Sequence, residues 1–199
     1  MTISAHQRIT CIILILIIST GKPFTMFGQV EYQSRTSNVS ISGTSTIHDW
    51  EMKSNHAQLN ATFVLNEDQL TAISALHFTI ESASLKSGHT LMDVNTYKAL
   101  KTKIYNDISF ILSSANVVAQ SNNTYLLQCL GKLTIAGTTR ETDLCVTCKW
   151  NPDDKSFLCT GTKKIKMTDY KVQPPVLMLG MIKTGDEIFI NYNCRINRE

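Results

Sequence analysis

The chain has 199 residues, 43% hydrophobic and 18% charged, with 19 Lys+Arg against 16 Asp+Glu for a formal charge of +3. This is one domain's worth of ordinary globular composition, which excludes intrinsic disorder, collagen-like repeats and charged-tail proteins. The basic residues are scattered; the densest run, Lys163, Lys164 and Lys166, is too small to be a phosphate-backbone footprint, which argues against nucleic acid as a partner.

At the N-terminus, His6 and Arg8 precede an apolar run from Ile9 to Ile18, followed by Ser19, Thr20 and Gly21. A short positive start, about ten apolar residues and then small residues form the pattern of a secretory signal peptide. The run is shorter than the roughly 20 residues a membrane span needs. Cleavage fits after Gly21 or after Gly28. Residues 24–27 have no role in the pattern that begins at Val30, which favours residues 1–28 as signal peptide and 29–199 as a single domain. Removing that segment deletes Arg8, Lys22 and Cys11, leaving 17 basic against 16 acidic residues, +1 over 171 residues, with five cysteines. The expectation is a nearly neutral periplasmic or secreted protein with no membrane span after processing, and a homodimer is left open.

From Val30 onward the dominant period is two. Strands are expected over 38–46 and 51–64, then at Leu76, Phe78 and Ile80, whose neighbours His77 and Thr79 face the other way. A helical turn is expected over 66–70. A helix is expected over 92–101, capped by Asp93 and carrying an apolar stripe of Tyr97, Leu100 and Ile104. Ile108, Phe110 and Leu112 alternate with polar or outward positions. Residues 123–131 follow as a strand, and then Leu133 and Ile135 before an Ala136-Gly137 turn. Residues 143–150 and 156–162 form a hairpin around Asn151 to Lys155. Ile165 and Met167 continue the alternation, and 186–196 is the last strand. About eight strands joined by polar turns, with one short helical segment, make an all-β antiparallel barrel or sandwich.

Chemistry finds little foothold. His48 beside Asp49 is the one cluster that suggests a general base or a metal ligand. Neighbours on a strand point to opposite faces, however, and no further ligand lies at suitable spacing, so a structural role is expected, with Trp50 covering one end of the barrel. There is no nucleophile-elbow motif and no cofactor fingerprint, so neither enzyme activity, metal nor cofactor is expected. Cys145 and Cys148 have metal-knuckle spacing without a second pair. Cys159 lies in the partner strand of the predicted hairpin, so a disulfide of Cys159 with either Cys145 or Cys148 is expected in an oxidising compartment.

Four segments in order carry a resemblance. Leu85 to Asp93, continued by Tyr97 to Lys101 and Tyr105 to Phe110, is the first. The others are Gly131 to Glu141 with its L-T-x-x-G-x-T-R run, Lys164 to Tyr170, and Lys183 to Ile188. Together they resemble the YceI-like family of exported bacterial proteins, over roughly residue 40 to the C-terminus. The cysteines from Cys129 onward lie outside that family's pattern.

The resemblance implies a lipocalin-like extended antiparallel β-barrel that holds a long apolar chain, typically a polyisoprenoid, as a non-enzymatic lipid-binding protein. Strand parity then nominates a lining of Leu76, Phe78, Ile80, Ile108, Phe110, Leu112, Leu133, Ile135, Ile165, Met167, Ile188 and Ile190. Met92, Met178 and Met181 would stand at an entrance, and the small residues Gly43, Ser45 and Ala99 would leave room. The same parity is satisfied by a solid core. The alternative is therefore a ligand-free exported barrel acting in protein interaction or envelope stress protection.

Overall fold

The structure, a computed structural model, describes residues 28–34 and 37–199; the expected signal segment, apart from Gly28, lies outside the described residues. Strands β1 (Gly28–Ser34), β2 (Ser37–Ser45), β3 (Trp50–Ser54), β4 (Ala57–Asn66) and β5 (Gln69–Glu81) come first. Helix α1 (Thr90–Leu100) then precedes β6 (Asp107–Ala119), β7 (Thr124–Ile135), β8 (Thr138–Asn151) and β9 (Ser156–Lys166). The two-residue β10 (Val176–Leu177) and the long β11 (Ile182–Arg198) complete the chain. All pairings are antiparallel in the order β1-β4-β5-β6-β7-β8-β9-β11, and β1 pairs β11 to close an eight-stranded barrel. Two further strands, β2 and β3, extend the wall from β11 at one end.

The expected single strand over 51–64 is two strands. Met52 and Ser54 are buried at even positions, whereas Ala57, Leu59, Ala61, Phe63 and Leu65 are buried at odd ones, so the inward phase slips by one residue at Asn55-His56. One long ribbon thus becomes an extension strand and a barrel strand. The expected helical turn over 66–70 is a two-residue hairpin with both central residues, Glu67 and Asp68, at positive φ. Such primed turns match the right-handed twist of flanking strands. Ala136 and Gly137 do the same between β7 and β8. Met167, expected in a strand, opens a 3-10 turn (Met167–Tyr170) in which it and Tyr170 are buried.

The two ends of the barrel are packed differently. At the end where β9 begins and β11 finishes, Phe157 sits among Tyr32, Phe63, Tyr125 and Trp150, with ring centroids 4.7 to 6.1 Å away. Offset and edge-on ring pairs at such distances fill volume densely. Cys148 and Cys159 are directly opposed there on β8 and β9 and form a disulfide, with Cα atoms 4.1 Å apart. Cys194 lies opposite Cys159 on the other side, buried and free.

The wall is not uniformly zipped. β8 pairs β9 only from Thr147–Thr160 to Asn151–Ser156, so residues 138–146 of β8 have no backbone partner on β9. Side chains span the seam instead. Tyr192 Oη donates to the Cys145 carbonyl at 3.0 Å, Lys163 pairs with Asp143 at 2.8 Å, and Arg140 Nε donates to the Asp169 carbonyl.

Candidate functional site

The other end of the barrel is hollow. A cavity of about 400 Å³ lies under α1 and between the ends of β2, β5, β6, β7, β9 and β11. Its lining is almost wholly apolar and contains no Asp, Glu, Lys or Arg. The inward row of each strand supplies it, because successive side chains alternate between interior and solvent.

Of the twelve parity-chosen residues, nine line the cavity: Phe78, Ile80, Ile108, Leu133, Ile135, Ile165, Met167, Ile188 and Ile190. Leu76, Phe110 and Leu112 also face inward and pack with the core, but lie outside the cavity lining. Phe110 and Gly131 explain one another here, since the ring occupies the space that a Cβ on Gly131 would need. Ser45 and Ala99 line the cavity as small residues, while the room beside Gly43 is taken by the Trp50 indole, whose Nε1 donates to the Thr44 carbonyl at 3.0 Å.

Of the three entrance methionines, Met92 is in the lining, and Met181 is 72% exposed on the loop before β11. The Met178 side chain lies outside the described residues. Ile47 and Leu91, both exposed, stand at the mouth with His48 and His89.

Helix α1 covers the cavity through Met92, Asn95, Thr96, Ala99 and Leu100, spaced as one helical face. The stripe differs from the expected Tyr97, Leu100 and Ile104. Lys101 adopts a left-handed conformation that ends the helix, so Ile104 lies beyond it and is exposed. Tyr97 turns sideways, donating from Oη to the Leu85 carbonyl at 2.9 Å beneath the Lys86 ammonium. Asp93 does not cap the helix, which begins at Thr90. Its Oδ1 instead accepts from the Ser87 N–H at 2.8 Å and the Ser87 hydroxyl at 2.7 Å. Those bonds hold the Asp93 carboxyl below its ordinary pKa and tie the helix to the segment that pairs with β3 through Lys53 and Lys86.

Asn95 and Thr96 escaped the sequence reading. The signal that reveals them is their spacing from Met92, at i+3 and i+4, on the face carrying Ala99 and Leu100. Thr96 Oγ1 donates to Met52 Sδ at 3.1 Å, and Asn95 Nδ2 is buried with no hydrogen-bond partner.

His48 Nδ1 lies 2.7 Å from the Asp49 carbonyl, so the imidazole is tied to backbone and not to the neighbouring carboxylate. Among the described residues no group of three or more His, Cys, Asp or Glu side chains is placed to hold a metal, and no helix is long and apolar enough to cross a membrane. The arrangement can sequester an apolar chain; Ser45 and His48 both line the cavity, and the Ser45 hydroxyl bonds the backbone of His48.

The YceI-like domain family matches residues 31–196. No curated protein matches the sequence. Among solved structures, BcnA of Burkholderia cenocepacia is similar at 19% identity with a TM-score of 0.63, covering 80% of this chain and 95% of its own. A polyisoprenoid-binding domain from Saccharophagus degradans, implicated in plant cell wall breakdown, has 10% identity and a TM-score of 0.63, covering 86% of this chain and 100% of its own. A Campylobacter jejuni YceI protein has 20% identity and a TM-score of 0.54, covering 71% and 81%. At such identities these structures speak for the fold alone.

Proposed function

The chain belongs to the YceI-like domain family, and on that premise we propose that it is an exported, non-enzymatic lipid-binding protein that shelters an isoprenoid-type chain in the open half of its barrel. The observation that carries this reading is the cavity itself, about 400 Å³, apolar, free of charged side chains and open at one end. Ligand sites run from roughly 300 to 1,000 Å³, so this one takes a short chain whole or the end of a longer one. The driving force is burial: each CH₂ removed from water contributes about 0.8 kcal/mol, or on the order of 4 kcal/mol gross per five-carbon unit before ordering costs. Affinity then grows with chain length until the cavity is full.

Export is supported by the signal-like pattern of residues 1–28, and a disulfide between Cys148 and Cys159 suits an oxidising compartment such as the periplasm or the exterior. The polyisoprenoid named for the Saccharophagus degradans domain supports the ligand class by kinship.

The test is native mass spectrometry of protein purified from its own host, followed by delipidation and re-uptake of isoprenoids of graded length. A co-purifying apolar lipid, or uptake that strengthens with chain length, is the expected result. Repeated absence of both overturns the reading and favours a ligand-free barrel acting through its surface.

A further inference from the structure

We propose that the rim of the cavity mouth is a docking surface for an anionic lipid bilayer, on which the barrel stands open end down while an apolar chain passes between the two. The inference rests on the lipid-binding reading and deepens it by naming where the guest is exchanged. Among the described residues, seven large hydrophobic side chains are more than half exposed. Six of them, Ile47, Leu91, Ile104, Val176, Leu179 and Met181, lie on the β2–β3, β5–β6 and β9–β11 connections of the hollow end. The seventh, Ile111, faces outward from β6, and the described turns of the aromatic end carry none. Single exposed apolar side chains are ordinary, but a group gathered at one end marks a contact surface.

Contacts between the connections bring these side chains to one rim. Thr46 donates from its hydroxyl to the Met181 carbonyl at 3.2 Å and from its N–H to the Lys183 carbonyl at 3.1 Å, which seats Ile47 beside the 176–181 segment. Ile47 and Leu91 both border the cavity. Ile104 is held at the same end by its neighbour Tyr105, whose ring occupies the space that a side chain on Gly137 would need, two residues beyond the cavity-lining Ile135.

Charge runs the same way. Lys98, Lys101, Lys103, Lys171 and Lys183 are exposed around the mouth, against exposed Asp49, Asp107 and Asp169. The turns of the opposite end bear Glu67, Asp68, Asp153 and Asp154 against Lys155, and Asp154 is engaged by Arg195 at 2.8 Å. A barrel basic at its open end and acidic at its packed end is oriented mouth first by an anionic surface, where lysines meet the headgroups and apolar side chains enter among them. A bilayer is also where an isoprenoid chain resides, and contact at the rim spares that chain a passage through water.

The experiment is flotation of the delipidated, processed protein with phosphatidylcholine vesicles, with and without phosphatidylglycerol, alongside titration with farnesol in the absence of vesicles. The protein should float with the anionic vesicles and more weakly with the neutral ones, and high salt should remove the difference. Ile104→Ser combined with Leu179→Ser, both outside the cavity lining, should lower vesicle partition by about tenfold or more. Lys101→Ser combined with Lys103→Ser should lower it by about fivefold per lysine on the anionic vesicles alone. Ile111→Ser, an equal change on the outer wall, should leave it as it was, and every variant should bind farnesol and unfold thermally like the parent. If the parent does not float, or the rim variants float as well as it does, docking is overturned, and the lipid-binding reading stands wherever farnesol still binds. If light scattering shows a dimer that the rim variants dissolve, the rim joins two copies of this chain and the bilayer is overturned as its partner. If the parent floats through its rim yet takes up no apolar chain, the docking surface stands and the lipid-binding reading falls.

Discussion

The ring of Tyr192 on β11 occupies the space that a side chain on Gly161 of β9 would need, and from there its hydroxyl reaches across to the Cys145 carbonyl on β8. Gly161 and Tyr192 are direct partners in the β9–β11 register, and the hydrogen bond falls where β8 and β9 have parted. A glycine on one strand thus lets a tyrosine on the next close a gap in the wall.

Replacing Gly161 with alanine should push the Tyr192 ring away and release the Cys145 carbonyl. The expected cost is about 1–3 kcal/mol from overpacking together with the lost hydrogen bond. Chemical denaturation measures it, and Tyr192→Phe, which removes only the hydroxyl, should cost less. Equal stability of Gly161→Ala and the parent would contradict the packing described.

The two halves of the barrel should respond oppositely to substitution. Phe157→Ala removes the centre of the aromatic cluster, 0% exposed, and should destabilise by about 3–5 kcal/mol. Ala99→Phe pushes a ring into the cavity, and should lower uptake of farnesol at least tenfold while changing stability by less than about 1 kcal/mol. Binding and unfolding measured on both variants check the contrast.

The disulfide closes a short loop, with a sequence separation of 11, so Cys159→Ser should lower stability by about 2–3 kcal/mol. Cys148→Ser has a further consequence. It leaves the Cys159 thiol facing Cys194 on β11, and mild oxidation should then join those two, which peptide mapping would detect.

Thiol reactivity should follow burial. Cys145 is exposed and should react in the native protein, whereas Cys129 and Cys194 are buried and should react only after denaturation. Burial pushes the Cys129 thiol up to about 11, and raises that of Cys194 as well, so neither is appreciably thiolate at neutral pH. A thiol held neutral in the fold contributes stability that is fully present below its ordinary pKa near 9.0 and is lost as pH rises toward 11. Alkaline titration of unfolding should show that decline, and Cys129→Ala should reduce it.

Period two made the barrel legible, because a face buried along a strand repeats strictly. All twelve residues chosen by parity face inward, from Leu76 to Ile190. What parity leaves undetermined is whether an inward row meets other side chains or empty space. That depends on Phe157, Phe63 and Tyr32, which come from three strands far apart in sequence and meet only once the barrel closes. The turn at Glu67-Asp68 carries no glycine, so nothing local marks it as a tight hairpin. The slip at Asn55-His56 does leave a trace in the sequence, since the apolar positions change there from even, at Met52, to odd, at Ala57, Leu59, Ala61 and Phe63, and the expected single strand over 51–64 passed over it. Helix α1 was legible as a helix. Its orientation was not, because the bonds from Ser87 to Asp93 and from Tyr97 to Leu85 set it, and these join residues whose relative placement only the fold decides.

The aromatic end of the barrel has a consequence for how such a chain changes over generations. With the rings around Phe157 and the Cys148–Cys159 link gathered at one pole, the face of α1 over the opposite pole, where no residue is fully buried, carries little of the burden of folding. Substitutions at Asn95 or Ala99 then draw little on the stability reserve, and the shape of the cavity can change with few compensating changes elsewhere.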